Sequence, residues 1–190
     1  MSNGRTNGPQ EYSKILMGQP TSPPLSLRLL AAFSRYPEAL DWARRRAEAA
    51  WGPAALASQR FPFDQTPYYD DTMGRGLEKQ FLVFPPPYDP ATASDDKLLT
   101  NVWEAEYATD TSHEEPRPLN LDPGYLTRGK LVLTSTKDFA HRIYLRNGIF
   151  AEVTLFYRHG QWQHHEFTFA DYRQAEYHRF FDRARELVRG

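Results

Sequence analysis

The sequence predicts an α+β domain, and three observations support this. Strand-like and helix-like runs follow one another in the order strand, helix, strand, strand, helix, strand. Aromatic residues make up 14% of the chain and concentrate after residue 60, which suits a sheet-rich core. Strand-like runs separated by short turns fill most of the chain from residue 129 to 169. Together these patterns predict a ferredoxin-like βαββαβ core, extended by an antiparallel β-meander and a C-terminal helix.

The chain is predicted to form one domain after an N-terminal tail. Residues 1–24 are rich in Gly, Asn, Ser and Pro, so we expect them to be a disordered tail. Residues 25–190 have the length of a single domain and can bury a hydrophobic core without disulfides. We therefore expect one α+β domain over residues 25–190.

Composition argues against several classes of function. Lys and Arg together number 23 against 24 for Asp and Glu, so no basic field exists to bind a nucleic-acid backbone. The chain has no cysteine, which excludes disulfides, thiolate nucleophiles and thiolate zinc sites. It has no apolar run of 18 residues, and its first residues lack the apolar core of a signal peptide. We expect a soluble, cytoplasmic protein with no membrane partner.

The first half of the domain is predicted to contain three strands and two helices. The strands are expected at residues 25–33, about 55–63 and 77–84, the last of them ended by a block of three prolines. The helices are expected at residues 37–51 and 95–108. Pro37 suits the first turn of a helix and Gly52 its end. The second helix is expected to bury a face formed by Leu98, Val102 and Tyr107.

The second half is predicted to be a meander closed by a helix. Strands are expected at residues 129–136, 140–146, 149–158 and 162–169. A closing amphipathic helix is expected over residues 172–188, with an apolar side formed by Phe180, Phe181, Ala184 and Leu187.

Asn147-Gly148 is the strongest hairpin signal in the chain, because both central positions of a type I′ turn need a positive φ. A two-residue loop would set Leu145 opposite Phe150, Ile143 opposite Glu152, and His141 opposite Thr154. A second such turn at His159-Gly160 would set His165 opposite Thr154 and Phe167 opposite Glu152. One apolar face then holds four polar residues, namely His141, Glu152, Thr154 and His165.

Glu152 and His141 could therefore act as a coupled acid and base. A carboxylate and an imidazole on an apolar face shift one another's pKa values, which prepares groups for proton transfer. The alternative is a structural pair, in which Glu152 binds His141 or a lysine from a neighbouring strand only to satisfy polar groups. The sequence leaves both interpretations open.

The string GYLTRGK at residues 124–130 has the spacing of a phosphate-binding P-loop, but we reject that interpretation. Leu131 stands where the motif needs a hydroxyl for Mg²⁺, and the chain continues as a strand where the motif needs a helix. A simpler prediction is that DPGY at residues 122–125 forms a turn, with Pro123 setting φ and Gly124 taking a positive φ.

The loop at residues 61–76 is a second candidate for ligand contact. It concentrates acids and tyrosines, namely Asp64, Tyr68, Tyr69, Asp70 and Asp71, and loops on a rigid sheet often carry function. The alternative is a solvated loop. The neighbouring His164 and His165 face opposite ways on a strand, so we predict no metal site there.

Several blocks of the sequence resemble domain-of-unknown-function family 4416, which occurs in bacteria and archaea. The blocks are FPFDQTPYYDDTMG, KLLTNVWE, NLDPGYLT with KLVLTSTKDFAHRIYL, GIFAEVTLFY and DYR at residues 171–173. The resemblance runs from about Leu25 to the C-terminus and implies no established activity or cofactor. Positions that match its pattern are Asp64, Tyr68, Tyr69, Asn120, Asp122, Pro123, Gly124, Tyr125, Lys130, Thr136, Lys137, Asp138, His141, Arg142, Tyr144, Glu152, Asp171 and Tyr172.

The favoured hypothesis is a binding protein or enzyme for a small anionic molecule, such as a phosphate-containing metabolite or a nucleotide. The expected ligand-binding residues are Lys130, Lys137, Arg142, Tyr125, Asp64 and Tyr69. The expected catalytic residues are His141, Glu152 and Asp122. The sequence indicates neither the reaction, nor a cofactor, nor an oligomeric state. Lys130 and Lys137 are an odd number of residues apart, so on one straight strand they would point to opposite faces.

The alternative hypothesis is a non-enzymatic protein-interaction module. Its charged residues would then form a structural polar network, and its aromatic surface would meet a partner protein. RNA binding through exposed aromatic residues is a third possibility, but the chain lacks the basic face that RNA binding needs.

Overall fold

Within the described residues, the fold is built on a nine-stranded antiparallel sheet with four α-helices, which confirms the α+β class. A computed structural model describes residues 18–64 and 66–188. The strands are β1 (Leu27–Ser34), β2 (Leu56–Ala57), β3 (Phe61–Pro62), β4 (Glu78–Val83), β5 (Asn120–Leu126), β6 (Lys130–Ser135), β7 (Ile143–Arg146), β8 (Ile149–Arg158) and β9 (Gln161–His164). The helices are α1 (Pro37–Trp51), α2 (Asp70–Met73), α3 (Ala93–Asp110) and α4 (Ala175–Glu186). Residues 1–17 of the predicted tail lie outside the described residues, and residues 18–26 have no regular secondary structure.

The strand order in the sheet is β2-β4-β1-β5-β6-β8-β7. The short strand β3 pairs with β4, and β9 pairs with β8. Strands β7 and β9 lie along the same side of β8, where β7 pairs with residues 149–151 and β9 with residues 155–158. The long strand β8 therefore joins both hairpins of the meander to β6 and the central strands.

The sheet is covered on both faces. Helices α1 and α3 pack on one face against Leu30, Ala32 and Leu82, and α4 packs on the other face against Leu29, Phe81 and neighbouring strands. Strand β1 is buried on both sides, which explains its nearly continuous apolar sequence. No helix within the described residues is long and apolar enough to cross a membrane.

The predicted two-residue turns are present, but the predicted register of the first hairpin is wrong. Asn147, Gly148, His159 and Gly160 all have φ values between 53° and 81°. After the pair Arg146 and Ile149, a β-bulge shifts the register, so that Tyr144 faces Phe150 and Ile143 faces Ala151. The bulge lies where the Arg146 side chain bonds Ser94 and Asp95 of α3.

Two further predicted pairings are also wrong. Strand β7 begins only at Ile143, so His141 lies in the preceding turn and is not paired with Thr154. Strand β9 ends at His164, because the N–H of His165 bonds Thr168 Oγ1 instead of continuing the ladder. His165 and Phe167 therefore do not extend the strand opposite Thr154 and Glu152 as predicted.

Helices α1, α3 and α4 occur where the sequence predicts helices, and α2 lies in a segment that was predicted to be a loop. The buried face of α3 also differs from the prediction. Leu98 and Val102 are exposed, whereas Lys97, Thr100 and Trp103 are buried with Tyr107. The physical reason is that the inner face of α3 meets polar backbone as well as apolar side chains. In α4, Phe180, Phe181 and Ala184 are buried as predicted, while Tyr177 and Val188 replace the exposed Leu187.

The segment DPGY is part of strand β5 and not a turn, so this prediction is wrong. Gly124 is extended and pairs with Leu29 on one side and Leu133 on the other. A Cβ atom on Gly124 would lie 2.0 Å from the carbonyl oxygen of Val132. Glycine is needed here because the backbone of β6 passes so closely, and not because φ is positive.

The pairing between β5 and β6 stops at Pro123. The two strands pair only through residues 124–126 and 131–133. Proline has no N–H to donate to the next rung of the ladder. In its place, the Thr134 hydroxyl donates to the Pro123 carbonyl oxygen over 2.7 Å. The first residues of β5 therefore have no backbone partner on the β6 side, and the sheet opens there.

Substitution of Gly124 by alanine should destabilise the fold by about 3 kcal/mol, because its Cβ would overlap the Val132 carbonyl and force the strands apart. Gly129→Ala is the matched control, since nothing lies within 4 Å of a Cβ at that position. Urea denaturation of both variants measures the difference. Equal stability of the two variants would contradict the close approach of β5 and β6.

Candidate functional site

A cavity of about 330 Å³ lies where β5 and β6 separate. It is bounded by the first residues of β5, the last residues of β6, the chain after β6, and the segment before α2. Its described lining residues are Thr66, Tyr68, Tyr69, Lys97, Arg117, Asn120, Asp122, Leu133, Thr134, Ser135, Thr136, Lys137, Phe139, Arg142, Glu152 and Phe169.

The floor of the cavity consists of charged side chains of α3 that bind the unpaired backbone of β5. Lys97 Nζ donates to the Leu121 carbonyl oxygen over 2.6 Å. Glu104 lies two helical turns further along and accepts the Leu121 N–H over 2.7 Å. These two side chains take the place of the missing β6 rung. Because buried backbone groups must be satisfied, this explains why α3 buries a lysine that is only 4% exposed.

Asp122 lies beside Lys97 and faces the cavity. Its Oδ1 atom is 3.1 Å from Lys97 Nζ, and its Oδ2 accepts a hydrogen bond of 2.8 Å from Asn120 Nδ2. Burial alone would raise the pKa of Asp122, but Lys97, Lys79 and Arg117 together lower it below its ordinary value. Asp122 is therefore a stable carboxylate at neutral pH.

Arg117 completes the floor. Its guanidinium donates to Glu104 Oε2 over 3.1 Å and also bonds the side-chain oxygen of Asn120. Its side chain remains 36% exposed, so part of this cation faces solvent and the cavity.

One wall of the cavity is formed by Glu152 and Arg142. Glu152 pairs with Leu133 across β6 and β8, and its side chain is only 4% exposed. Glu152 Oε2 accepts a hydrogen bond of 2.8 Å from Arg142 Nε and lies 3.1 Å from His141 Nε2. Arg142 Nη1 donates to Ser135 Oγ and to the Lys137 carbonyl oxygen. The guanidinium thus joins the wall to the segment that carries Lys137.

The rim of the cavity carries an exposed lysine and two tyrosines. Lys137 Nζ donates to the Tyr68 hydroxyl oxygen over 2.5 Å, and this bond lowers the pKa of the Tyr68 phenol. Tyr69 packs against Phe33 and Phe63, and burial raises its pKa above the ordinary value. Its hydroxyl therefore stays protonated at neutral pH and can donate a hydrogen bond.

A fully buried ion pair lies close in sequence to Phe169, one of the residues that line the cavity. Lys79 Nζ lies 2.5 Å from Asp171 Oδ2, and both side chains are at most 5% exposed. The ammonium is also within 5.0 Å of the ring centroids of Phe33, Phe63 and Tyr172. Asp171 belongs to a 3₁₀ turn that directly follows Phe169, so the pair fixes that side of the cavity.

The structure brings together most of the residues that the sequence indicated. The predicted residues that line the cavity are Tyr69, Asp122, Lys137, Arg142 and Glu152. His141 lies behind Glu152 rather than in the lining, with its ring stacked 4.2 Å from that of Phe167. These placements show which side chains can meet a ligand, and they assign no role to any of them.

Three predicted site residues lie away from the cavity. Lys130 is exposed at the start of β6, whereas the cavity lies at the end of that strand. Tyr125 points to the opposite face from Gly124 and lies beside Tyr88. Asp64 is exposed in the loop after β3. The expectation that Lys130 and Lys137 point to opposite faces of one strand does not apply to Lys137. Strand β6 ends at Ser135, two residues before Lys137.

Several residues of the site were missed by sequence reasoning. They are Lys97, Glu104, Arg117 and Asn120. Lys97 and Glu104 are seven residues apart, which puts them on one helix face, and that face also holds the buried Trp103 and Thr100 on its flanks. This spacing is the only local signal, and it does not distinguish a buried pair from an exposed one.

The described residues contain no group of three or more His, Cys, Asp or Glu side chains that could hold a metal ion.

Comparison with known proteins finds one family. The model of the family described as Domain of unknown function (DUF4416) matches residues 24–187, which is most of the chain. No curated protein and no solved structure matches.

Substitution of Lys97 by methionine should destabilise the fold by about 3 to 5 kcal/mol, because the Leu121 carbonyl, Asp122 and Glu104 lose their shared cation. Lys137→Met is the control, since this exposed lysine should change stability by less than about 0.5 kcal/mol. Urea denaturation measures both. A small effect of Lys97→Met would show that β5 does not depend on α3 in this way.

Substitution of Asp122 by asparagine should lower stability by about 2 kcal/mol at pH 7, because its charge-assisted hydrogen bond is weakened. Folding lowers the pKa of Asp122, so the carboxylate stabilises the folded state. This stabilisation is complete above the unfolded pKa of about 3.9 and is lost as the pH falls below it. The two proteins should therefore converge below about pH 4. Denaturation at pH 3 to 8 measures the difference, and a gap independent of pH would contradict the assignment.

Proposed function

This chain belongs to the DUF4416 family, whose description states no activity, and we propose from its cavity that it binds a small anionic molecule. A phosphate-containing metabolite or a nucleotide is the expected class of ligand. The volume of about 330 Å³ lies at the lower end of the range for small-molecule sites.

The charge of the cavity lining is the observation that carries this proposal. Among the described lining residues, four side chains are cationic and two are carboxylates. A concave site with an excess of one charge focuses its field and attracts ligands of the opposite sign. The chain as a whole has a net charge of −1, so the positive charge belongs to the cavity and not to the protein surface in general.

The four cations are not equivalent. Lys97 and Arg142 are almost fully buried and already bond carboxylates and backbone oxygens. Lys137 is exposed and bonds a tyrosine hydroxyl, which does not neutralise its charge. Arg117 keeps part of its guanidinium accessible. We infer that Lys137, assisted by Arg117, holds the anionic group of the ligand.

An enzymatic form of this function would use Glu152 rather than His141 at the ligand. Glu152 lines the cavity, whereas His141 is not among the described lining residues, bonds the Glu152 carboxylate and stacks on Phe167. His141 would then be a positioning residue for Glu152, and Asp122 a second carboxylate on the floor. This assignment rests on their placement and names no reaction.

We also infer that the N-terminal part of the fold derives from a ferredoxin-like unit. In this comparison β1, β2, β4 and β5 are the four strands of a βαββαβ unit. The sheet order β2-β4-β1-β5 then places the second and the last strand of the unit at its two edges. Helices α1 and α3 pack on the same face, as such a unit requires. The meander would then extend the sheet from β5.

A second candidate function is protein interaction through strand β7. This strand lies at an edge of the sheet and exposes Ile143 by 72% and Tyr144 by 58%. Exposed apolar side chains on an edge strand are typical of surfaces that pair with another chain. The charged residues of the cavity would then serve only as a structural network.

Ligand binding can be tested by thermal unfolding in the presence of pyrophosphate and a panel of organic phosphates. A ligand at one hundred times its Kd should stabilise the protein by about 2.7 kcal/mol. Lys137→Met should weaken that ligand about tenfold or more, because it removes the accessible cation.

The matched control is Lys130→Met, which removes an exposed lysine from the other end of β6 and should leave binding unchanged. If no anion raises the unfolding temperature of the wild-type protein, the interaction function is favoured instead. If both lysine variants lose the ligand equally, the effect is one of general charge and not of the cavity.

A further inference from the structure

We propose that the ligand is a hydroxylated organic phosphate, whose phosphate binds at Lys137 and whose hydroxyl group donates a hydrogen bond to Glu152. This inference rests on the proposed anion-binding function and adds the chemistry of the rest of the ligand. Its starting point is the hydrogen-bond arrangement of the Glu152 carboxylate.

Within the described residues, only one oxygen of Glu152 accepts a hydrogen bond. Arg142 Nε and His141 Nε2 both lie within 3.1 Å of Oε2. No group in residues 18–64 and 66–188 donates a hydrogen bond to Oε1. A carboxylate has about four lone-pair sites, and Oε1 is not among the described side-chain atoms that are buried without a partner, so it is accessible. Because Glu152 lines the cavity, a ligand there can supply the missing donor.

The carboxylates also restrict where the anionic group can bind. Glu152 and Asp122 accept hydrogen bonds and repel negative charge, so a phosphate cannot lie against either of them without a like-charge penalty. Lys137 is on the rim, where its accessible ammonium lies beside the Tyr68 hydroxyl. The phosphate is therefore expected at the rim, and an uncharged part of the ligand must reach the wall.

Arg142 fixes these two recognition points relative to each other. Its Nε atom bonds Glu152, and its Nη1 atom bonds the carbonyl oxygen of Lys137 over 2.9 Å. One planar guanidinium thus connects the acceptor in the wall to the residue that carries the cation. The cavity lining also includes hydroxyl groups, among them those of Tyr69, Ser135 and Thr136. A ligand with several hydroxyls matches this lining better than an alkyl chain does.

The test compares two phosphate esters on the wild-type protein by isothermal titration calorimetry. Ribose 5-phosphate has five carbons and three hydroxyl groups, and pentyl phosphate has five carbons and no hydroxyl group. Ribose 5-phosphate should bind at least tenfold more tightly. Equal binding, or tighter binding of pentyl phosphate, would overturn the hydroxyl requirement while leaving anion binding intact. If neither ester nor pyrophosphate binds, the proposed function fails instead.

Two variants identify the residues responsible. Glu152→Gln should remove the preference for ribose 5-phosphate over pentyl phosphate, while the affinity for pentyl phosphate should stay the same or rise, because a repelling carboxylate is lost. Lys137→Met should weaken both esters by a similar factor, because both carry the phosphate. Glu166→Gln changes an exposed glutamate outside the cavity and is the control for Glu152→Gln.

Folding of Glu152→Gln must be checked by circular dichroism, since Arg142 loses a charged partner. A folded Glu152→Gln protein that keeps the full preference for ribose 5-phosphate would overturn the assignment of Glu152. The comparison of the two esters on the wild-type protein decides the ligand class even if this variant does not fold.

Discussion

The loss of pairing between β5 and β6 at Pro123 is the constraint on which the rest of the site depends. Proline cannot donate to the next rung, so the backbone of Leu121 is left without a strand on that side. Lys97 and Glu104 of α3 satisfy both of its backbone groups. The opening in the sheet and the buried charges that fill part of it therefore have one cause, and the cavity is the part that stays unfilled.

The structural and functional interpretations of the charged cluster apply to different members of it. Lys97 and Arg142 have their hydrogen bonds directed at protein atoms, so their main effect is on stability. Lys137 and Glu152 line the cavity, and in the proposed function they are the groups that contact the ligand. The buried groups make the site rigid, and this rigidity lowers the entropy that a ligand loses on binding.

Local sequence signals predicted the elements whose structure is decided locally. The periodicities of α1, β4, β8 and α4 were sufficient because one face of each is apolar, and positive φ at Asn147 and Gly148 follows from their residue types. The DPGY segment was predicted wrongly because Pro and Gly favour a turn in isolation. In the protein, pairing with β1 and the close passage of β6 decide its conformation. The bulge in β7 likewise depends on α3, which is distant in sequence.

The difference between local signals and contacts distant in sequence also explains which site residues could be predicted. Asp122, Arg142 and Glu152 are conspicuous because they interrupt apolar strand-like runs, and burying a charge requires a reason. Lys97 lies on a helix with charges on every side, so nothing local distinguishes it from a solvated lysine. The burial of Lys97 follows from the lack of a strand partner for Leu121 on the β6 side, and that depends on how β5 and β6, which follow Lys97 in the chain, pair with each other. A ligand that bridges Lys137 and Glu152 would therefore stabilise elements that the chain brings together only in its folded state, which is why binding and stability should be linked in this protein.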